Sequence, residues 1–402
     1  MHILQLTKKF PYPPKDCESV LISDFIAALK SKNIDIDLLS FNTIKHFFDV
    51  KKLPPEKNPY NKIETVFLDN RVKAAAALKN FFSSVPFHIS RFIDSGFEAK
   101  LKEMLSMYDY DAVLMESIFL VPYVPVIRAN TKAKIIMRAH NVEYEIWERI
   151  TRNTANLPLR IYLNYLTGKL KKYELEHIND FDMVITLTSR DMNKYLANGL
   201  NTEKLVLPAG IDATKFNNIK RKLSGKPEIA FIGSLDWTPN IEGVNWFVKK
   251  VWKNITKEFP KAVLHIAGRN TPESLYKLNS PNIVVHGEVP DAASFLQDYD
   301  IVIVPLLSGS GMRLKILEAM AMGKTVVTTS IGVEGIDARD MQEVLIADTP
   351  KEFENKLKYC FTNPTALATI SQNAVELFHK KYNLESITGK FINALNGLLQ
   401  SS

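Results

Sequence analysis

The sequence predicts an α/β protein built as two Rossmann-like lobes. Three observations predict it. At 402 residues the chain is too long for one ordinary core, since a domain takes ~100–200 residues. Short apolar runs alternate with helical patterns, as in a doubly wound parallel sheet. The alternation stops once, near mid-chain, and then starts again.

The first series opens at His2-Ile3-Leu4-Gln5-Leu6. Further strands are predicted at 35–41, 65–68, 112–117, 134–140 and 183–188. Helices are predicted between them, at about 18–31, 71–84, 94–107 and 160–178. Around residue 206 the rhythm breaks. Pro208, Gly210, Gly225 and Pro227 surround the basic stretch Lys215–Lys222, which reads as a linker. The second series has strands at 229–232, 262–267, 283–286, 301–305, 325–329 and 344–347. Helices are predicted at 241–257 and 314–322, the latter closed by Gly323, and at 350–362, 364–381 and 384–400. The predicted organisation is a first lobe over 1–205, a linker over 206–227, a second lobe over 228–375, and a C-terminal helical segment over 376–402 that packs back on the first lobe. Open α/β sheets bind ligands beyond the carboxyl ends of their strands, so the two lobes are expected to face each other across a cleft.

Composition narrows the function. Net charge is +7, which permits anionic partners without requiring them. No basic arm or zinc-knuckle spacing supports nucleic acid. Two cysteines far apart fit a reducing compartment, and no run of ~18 apolar residues predicts a spanning helix. A cytoplasmic location is expected. Neither G-x-G-x-x-G nor G-x-x-x-x-G-K-[ST] occurs, which weighs against NAD enzymes and P-loop ATPases.

The richest segment is Ser308-Gly309-Ser310-Gly311-Met312-Arg313-Leu314-Lys315-Ile316-Leu317-Glu318. Glycines precede a helix, so backbone N–H groups at 311–314 can meet an anion at the positive end of the helix dipole. Arg313 and Lys315 place two cations there, which an anion would compensate. Gly311, Leu314 and Glu318 fall on one helical stripe. A diphosphate at the tip and a ribose on Glu318 fit this spacing. A capped surface helix with an unrelated Glu fits it equally well.

With its continuation Ala319-Met320-Ala321-Met322-Gly323-Lys324-Thr325-Val326-Val327, the segment resembles the donor-binding signature of the family-4 (group 1) retaining glycosyltransferases of the GT-B fold. That signature normally carries two glutamates seven residues apart. Glu318 corresponds to the second, whose implied partner is the ribose. Ser310 replaces the first, which normally touches the donor sugar; the loop resembles a subset with a G-[SG]-G-x-R-L-K sequence. Phe10-Pro11-Tyr12-Pro13-Pro14-Lys15-Asp16-Cys17 resembles the family's first loop, with Asp16 and Cys17 where glycines are usual. Arg138-Ala139-His140-Asn141 resembles its histidine region, which implies His140 near the donor sugar. Phe231-Ile232-Gly233-Ser234 resembles the first loop of the second lobe. There relatives carry an Arg and a Lys for the diphosphate, and Arg313 and Lys315 are expected to replace them. Ala267-Gly268-Arg269 and His286-Gly287-Glu288-Val289 resemble the loops around the base and its flanking phosphate. Met312 and Leu314 complete the implied donor contacts.

The resemblance implies transfer of a sugar, with retention, from a nucleotide-sugar donor to a glycan or lipid-linked acceptor, in polysaccharide or glycoconjugate synthesis. It implies no cofactor and no metal. Catalytic roles fall to His140, Arg313 and Lys315. The rival readings are a silent nucleotide-sugar-binding scaffold and a sugar-nucleotide epimerase. Residues 71–93 carry four cations, no acid and four interleaved phenylalanines. They are a candidate peripheral membrane contact, against the alternative of an ordinary sheet-covering helix and loop.

Overall fold

The computed structural model describes residues 1–14, 16–71, 83–216, 227–309 and 312–400, without the side chain of Cys17. The chain divides into two compact units, Met1–Gly210 with Ile387–Ser402, and Ile211–Ser386. The boundary falls at Gly210/Ile211, inside the stretch read as linker. Ile211 donates its N–H to the Tyr382 carbonyl at 2.9 Å, which ties the chain to the second unit from that residue on.

In the first unit the strands are β1 His2–Thr7, β2 Asp35–Thr43, β3 Lys62–Leu68, β4 Ala112–Met115, β5 Lys134–Ala139, β6 Met183–Thr186 and β7 Glu203–Val206. They form one sheet in the order β3-β2-β1-β4-β5-β6-β7, parallel at every pairing. Central strands such as β4 are buried at every residue, which explains their unbroken apolar sequence. The longer helices are α1 Cys17–Ser31, α2 Ser95–Met107, α3 Glu143–Asn153, α4 Leu157–His177 and α5 Ser189–Ala197.

In the second unit the strands are β8 Glu228–Ile232, β9 Val263–Ala267, β10 Ile283–Gly287, β11 Ile301–Val304, β12 Thr325–Thr328 and β13 Leu345–Ile346. Their order is β10-β9-β8-β11-β12-β13, again parallel. Helices α6 Thr238–Phe247, α7 Leu314–Ala321, α8 Pro350–Thr362 and α9 Pro364–Lys381 cover it. The strand order reverses beside β1 in one sheet and beside β8 in the other, the switch points where such sheets open a crevice for ligands.

Helix α10, Leu384–Gln400, passes from the second unit into the first. Its Phe391 meets Phe25 of α1 edge-on, with ring centroids 5.2 Å apart. Burying a ring of that size stabilises by about 2–3 kcal/mol. The return begins at Ile387, later than the residue 376 expected from sequence, because α9 packs wholly within the second unit.

Several elements depart from the sequence reading. β7 is an edge strand, Glu-Lys-Leu-Val, with two exposed residues, so it lacks the apolar run that marks buried strands. The predicted helix 241–257 is α6, a π-turn at Val248–Trp252, and a further helical stretch Lys253–Glu258. Of the predicted helix 71–84, residues 72–82 lie outside the described residues. The same residues make up nearly half of the candidate membrane stretch 71–93. In its described part Phe87 and Phe92 are buried, and Arg91 donates to the Asn70 carbonyl.

Candidate functional site

Two clusters of polar side chains lie at the carboxyl ends of the central strands, one in each unit. In the first unit, β4 ends in Met115 and is followed by Glu116, while β5 ends in Ala139 and is followed by His140. The parallel register, Met115 against Met137, sets Glu116 beside Arg138, with His140 two residues further along. His140 Nε2 and Glu116 Oε2 are 2.8 Å apart, and the imidazole is 7% exposed. Gln5 of β1 donates to Glu116 Oε1 at 2.6 Å and accepts at its own oxygen from the Tyr60 hydroxyl at 2.9 Å. Arg138 Nη1 lies 3.4 Å from the same carboxylate, with its guanidinium 4.2 Å above the Phe25 ring. Burial alone would raise the Glu116 carboxyl, but Arg138 and His140 outweigh it and hold the group ionised, below the usual range.

An ionised Glu116 takes the proton on His140 Nε2 and so fixes the tautomer. The other ring nitrogen, Nδ1, is buried and has no hydrogen-bond partner among the described residues. A buried acceptor without a donor is costly. An incoming hydroxyl would satisfy it.

Beside this pair, Lys8 lies 3.3 Å from Glu18 and 3.6 Å from Glu143, the first residue of α3. Burial is the largest influence on Glu18, yet Lys8, His140 and Lys9 bring its carboxyl below the usual range. Burial raises Glu143. Asp16 is the N-cap of α1. It accepts the Ser19 N–H at 3.0 Å and pairs with Lys9 at 2.8 Å. Asp16 and Cys17 therefore start a helix here, where glycines would have kept a loop open to ligand.

In the second unit the loops after β8 and β9 meet the start of α7. Lys315 reaches back from α7, its Nζ 2.9 Å from Asn240 Oδ1 and 4.7 Å from the Phe231 ring centre. Asn240 Nδ2 in turn donates to the Ser234 carbonyl at 2.7 Å. This approach needs glycine at 233, since a Cβ there would stand 2.6 Å from Lys315 Nζ. It needs glycine at 268 as well, where a Cβ would stand 1.9 Å from the Gly233 carbonyl oxygen. Arg269 donates to the Ser234 hydroxyl at 3.2 Å. Gly287 ends β10 and lies against the Tyr276 hydroxyl; Val289, two residues on, is half-buried.

Arg313 is the N-cap of α7. It is 6% exposed, and its guanidinium lies 5.7 Å from the centre of the Trp237 ring. No acidic side chain occupies the first turn of α7. Met312, Leu314 and Glu318 are half-buried. Ser310 and Gly311 lie outside the described residues. The structure thus brings Gly233, Ser234, Arg269 and Lys315 together. It adds Asn240 and Trp237, and in the first unit Gln5 and Glu116. Glu116 had a legible signal, an acid directly after a fully apolar strand. Gln5 had none, because it sits inside the apolar run of β1.

Residues 226–363 match the family described as glycosyl transferases group 1. An uncharacterised 44.6 kDa protein in the cps region of Klebsiella pneumoniae is 22% identical over 96% of this chain and 97% of its own. The crystal structure of HepE from Anabaena, in complex with UDP, superposes with a TM-score of 0.68 at 13% identity over 99% of this chain and 100% of its own. Sucrose-phosphate synthase from Thermosynechococcus elongatus superposes with a TM-score of 0.69 at 15% identity, with 100% of both chains covered. Both units are parallel-sheet Rossmann-like domains of the kind found in GT-B glycosyltransferases, and residues 226–363 of the second match the glycosyl transferases group 1 family.

Proposed function

We propose that the chain is a retaining glycosyltransferase that moves a sugar from a nucleotide-sugar donor to a glycan or lipid-linked acceptor. The observation that carries this reading is the meeting of Lys315 with the glycine-bounded loops after β8 and β9. A cation, glycine backbone and the start of a helix converge there, the chemistry that holds a diphosphate. The group 1 match over the same residues supports it, as does the UDP bound by HepE. The relative from a cps region supports a place in cell-surface polysaccharide synthesis.

In this reading Lys315 and Arg313 stabilise the charge that grows on the leaving diphosphate, and Glu318 grips the ribose. The acceptor hydroxyl attacks the face the diphosphate leaves, and the diphosphate takes its proton. His140, oriented by Glu116, meets the transferred sugar through Nδ1.

His140→Ala and Glu318→Gln separate the roles. His140→Ala lowers turnover by roughly 10²-fold and leaves nucleoside diphosphate affinity unchanged, as for a contact made only in the transition state. Glu318→Gln weakens nucleotide affinity instead. Calorimetry with nucleoside diphosphates, beside single-turnover kinetics with a nucleotide-sugar panel, reads both. Full turnover in His140→Ala removes that residue from the mechanism.

A further inference from the structure

Helices α3 and α4 form a hairpin in the first unit. They are joined by the buried contact of the Thr151 and Thr167 hydroxyls at 3.2 Å and by the Lys171–Glu148 pair at 3.4 Å. The turn is well defined: Asn156 caps α4 by accepting the Leu159 N–H, and Pro158 sits in its first turn. Yet the tip is apolar and exposed. Leu157 is 56% exposed and Ile161 65%, and Ile150, Leu159 and Tyr165 are exposed as well. Leu157, Ile161 and Tyr165 are spaced by four and share one stripe of α4. That stripe faces away from the core, since the buried positions of the helix are Leu166, Thr167, Leu170 and Glu174. A helix face turned to water is normally polar, and a clustered exposed apolar stripe marks an interaction surface.

The charge around the stripe is mostly positive, with Glu148 at its edge. From Arg149 to Tyr173 there is no Asp or Glu, while Arg149, Arg152, Arg160, Lys169, Lys171 and Lys172 give six cations. Arg152 and Arg160 line one cavity of about 590 Å³ at the tip, with Leu157 and Ile161 on its wall and Glu148 and Thr151 also lining it. Two guanidiniums beside apolar side chains suit a phosphate headgroup with its acyl chains alongside. A second copy of the chain fits less well, because a two-fold contact would set this cationic tip against itself. We infer that the α3–α4 tip docks the first unit on an anionic phospholipid surface, with Leu157, Ile161 and Tyr165 entering the interface and Arg152 and Arg160 holding a lipid phosphate. This contact is independent of the donor reading, since it needs no nucleotide.

The test is flotation of the full chain with phosphatidylcholine vesicles, with and without phosphatidylglycerol, and without any nucleotide. The chain floats with the anionic vesicles, and raised salt releases it. Arg152→Gln and Arg160→Gln each lower partitioning about fivefold. The double variant Leu157→Ser/Ile161→Ser lowers it at least about tenfold. Arg152→Lys/Arg160→Lys keeps most of the binding, which separates charge from a folding defect. The inference is overturned by absence of flotation, by equal flotation on neutral vesicles, or by flotation that the tip variants leave unchanged. A dimer that the tip substitutions convert to monomer, without vesicle binding, assigns the surface to a second copy and overturns it too.

Discussion

At the scale of single residues, the pairing of Glu116 with His140 is the arrangement most unlike an ordinary structural contact. The carboxylate is fully buried and is served by Gln5, Arg138 and His140 at once. Removing its charge leaves Arg138, itself 1% exposed, without a counter-ion. Breaking such a pair from one side costs about 3–5 kcal/mol. Glu116→Gln is therefore expected to lower unfolding stability by roughly 3 kcal/mol in urea melts. A loss under about 0.5 kcal/mol, the scale of a surface substitution, would show the network to be solvated. His140 was legible from sequence by its place after a strand in a recognisable segment. Its partner was not named, because nothing in a sequence says which neighbouring strand lies beside β5.

At the scale of elements, buried strands and long amphipathic helices were the most legible. β1, β4 and α8 to α10 fall close to where their periodicity puts them. The short polar strand β7 was not, because an edge strand with two exposed residues owes its existence to its neighbour β6 more than to local pattern. The start of α7 was legible in charge, but the contact from Lys315 to Asn240 spans 75 residues and needed the fold. The short helix Phe87–Ser90 carries a prediction of its own. His88 is buried with its ring 4.1 Å from that of Trp147. Burial first, and then Arg91, push its imidazole down to about 4 from an ordinary 6.5. Between those values the unfolded chain takes up a proton that the folded chain refuses. This residue's contribution to stability therefore falls as pH drops from about 6.5 towards 4, by up to roughly 3 kcal/mol for the full shift. His88→Phe should flatten the pH dependence of the urea midpoint over that range. An unchanged slope would place the proton uptake elsewhere.

At the scale of the whole molecule, the chain carries two parallel sheets of the same design, each with polar side chains gathered at its switch point. Among the described residues no helix is long and apolar enough to cross a membrane. The two-lobe architecture was legible because each lobe repeats the same strand–helix rhythm. The return of the C-terminal segment to the first lobe was expected from the sequence, but its contact with Phe25, more than 350 residues earlier, needed the fold. The central claim is that the second unit holds the diphosphate of a nucleotide-sugar donor on Lys315 and its loops. Calorimetric titration of the chain, and of Lys315→Ala, with UDP, GDP, ADP and dTDP tests it most directly. The account predicts saturable binding of at least one of these, weakened by about 1–3 kcal/mol in the variant, as for a hydrogen bond to a charged group, with the parent nucleoside unaffected. Absence of binding by all four, or equal affinity in the variant, would contradict it.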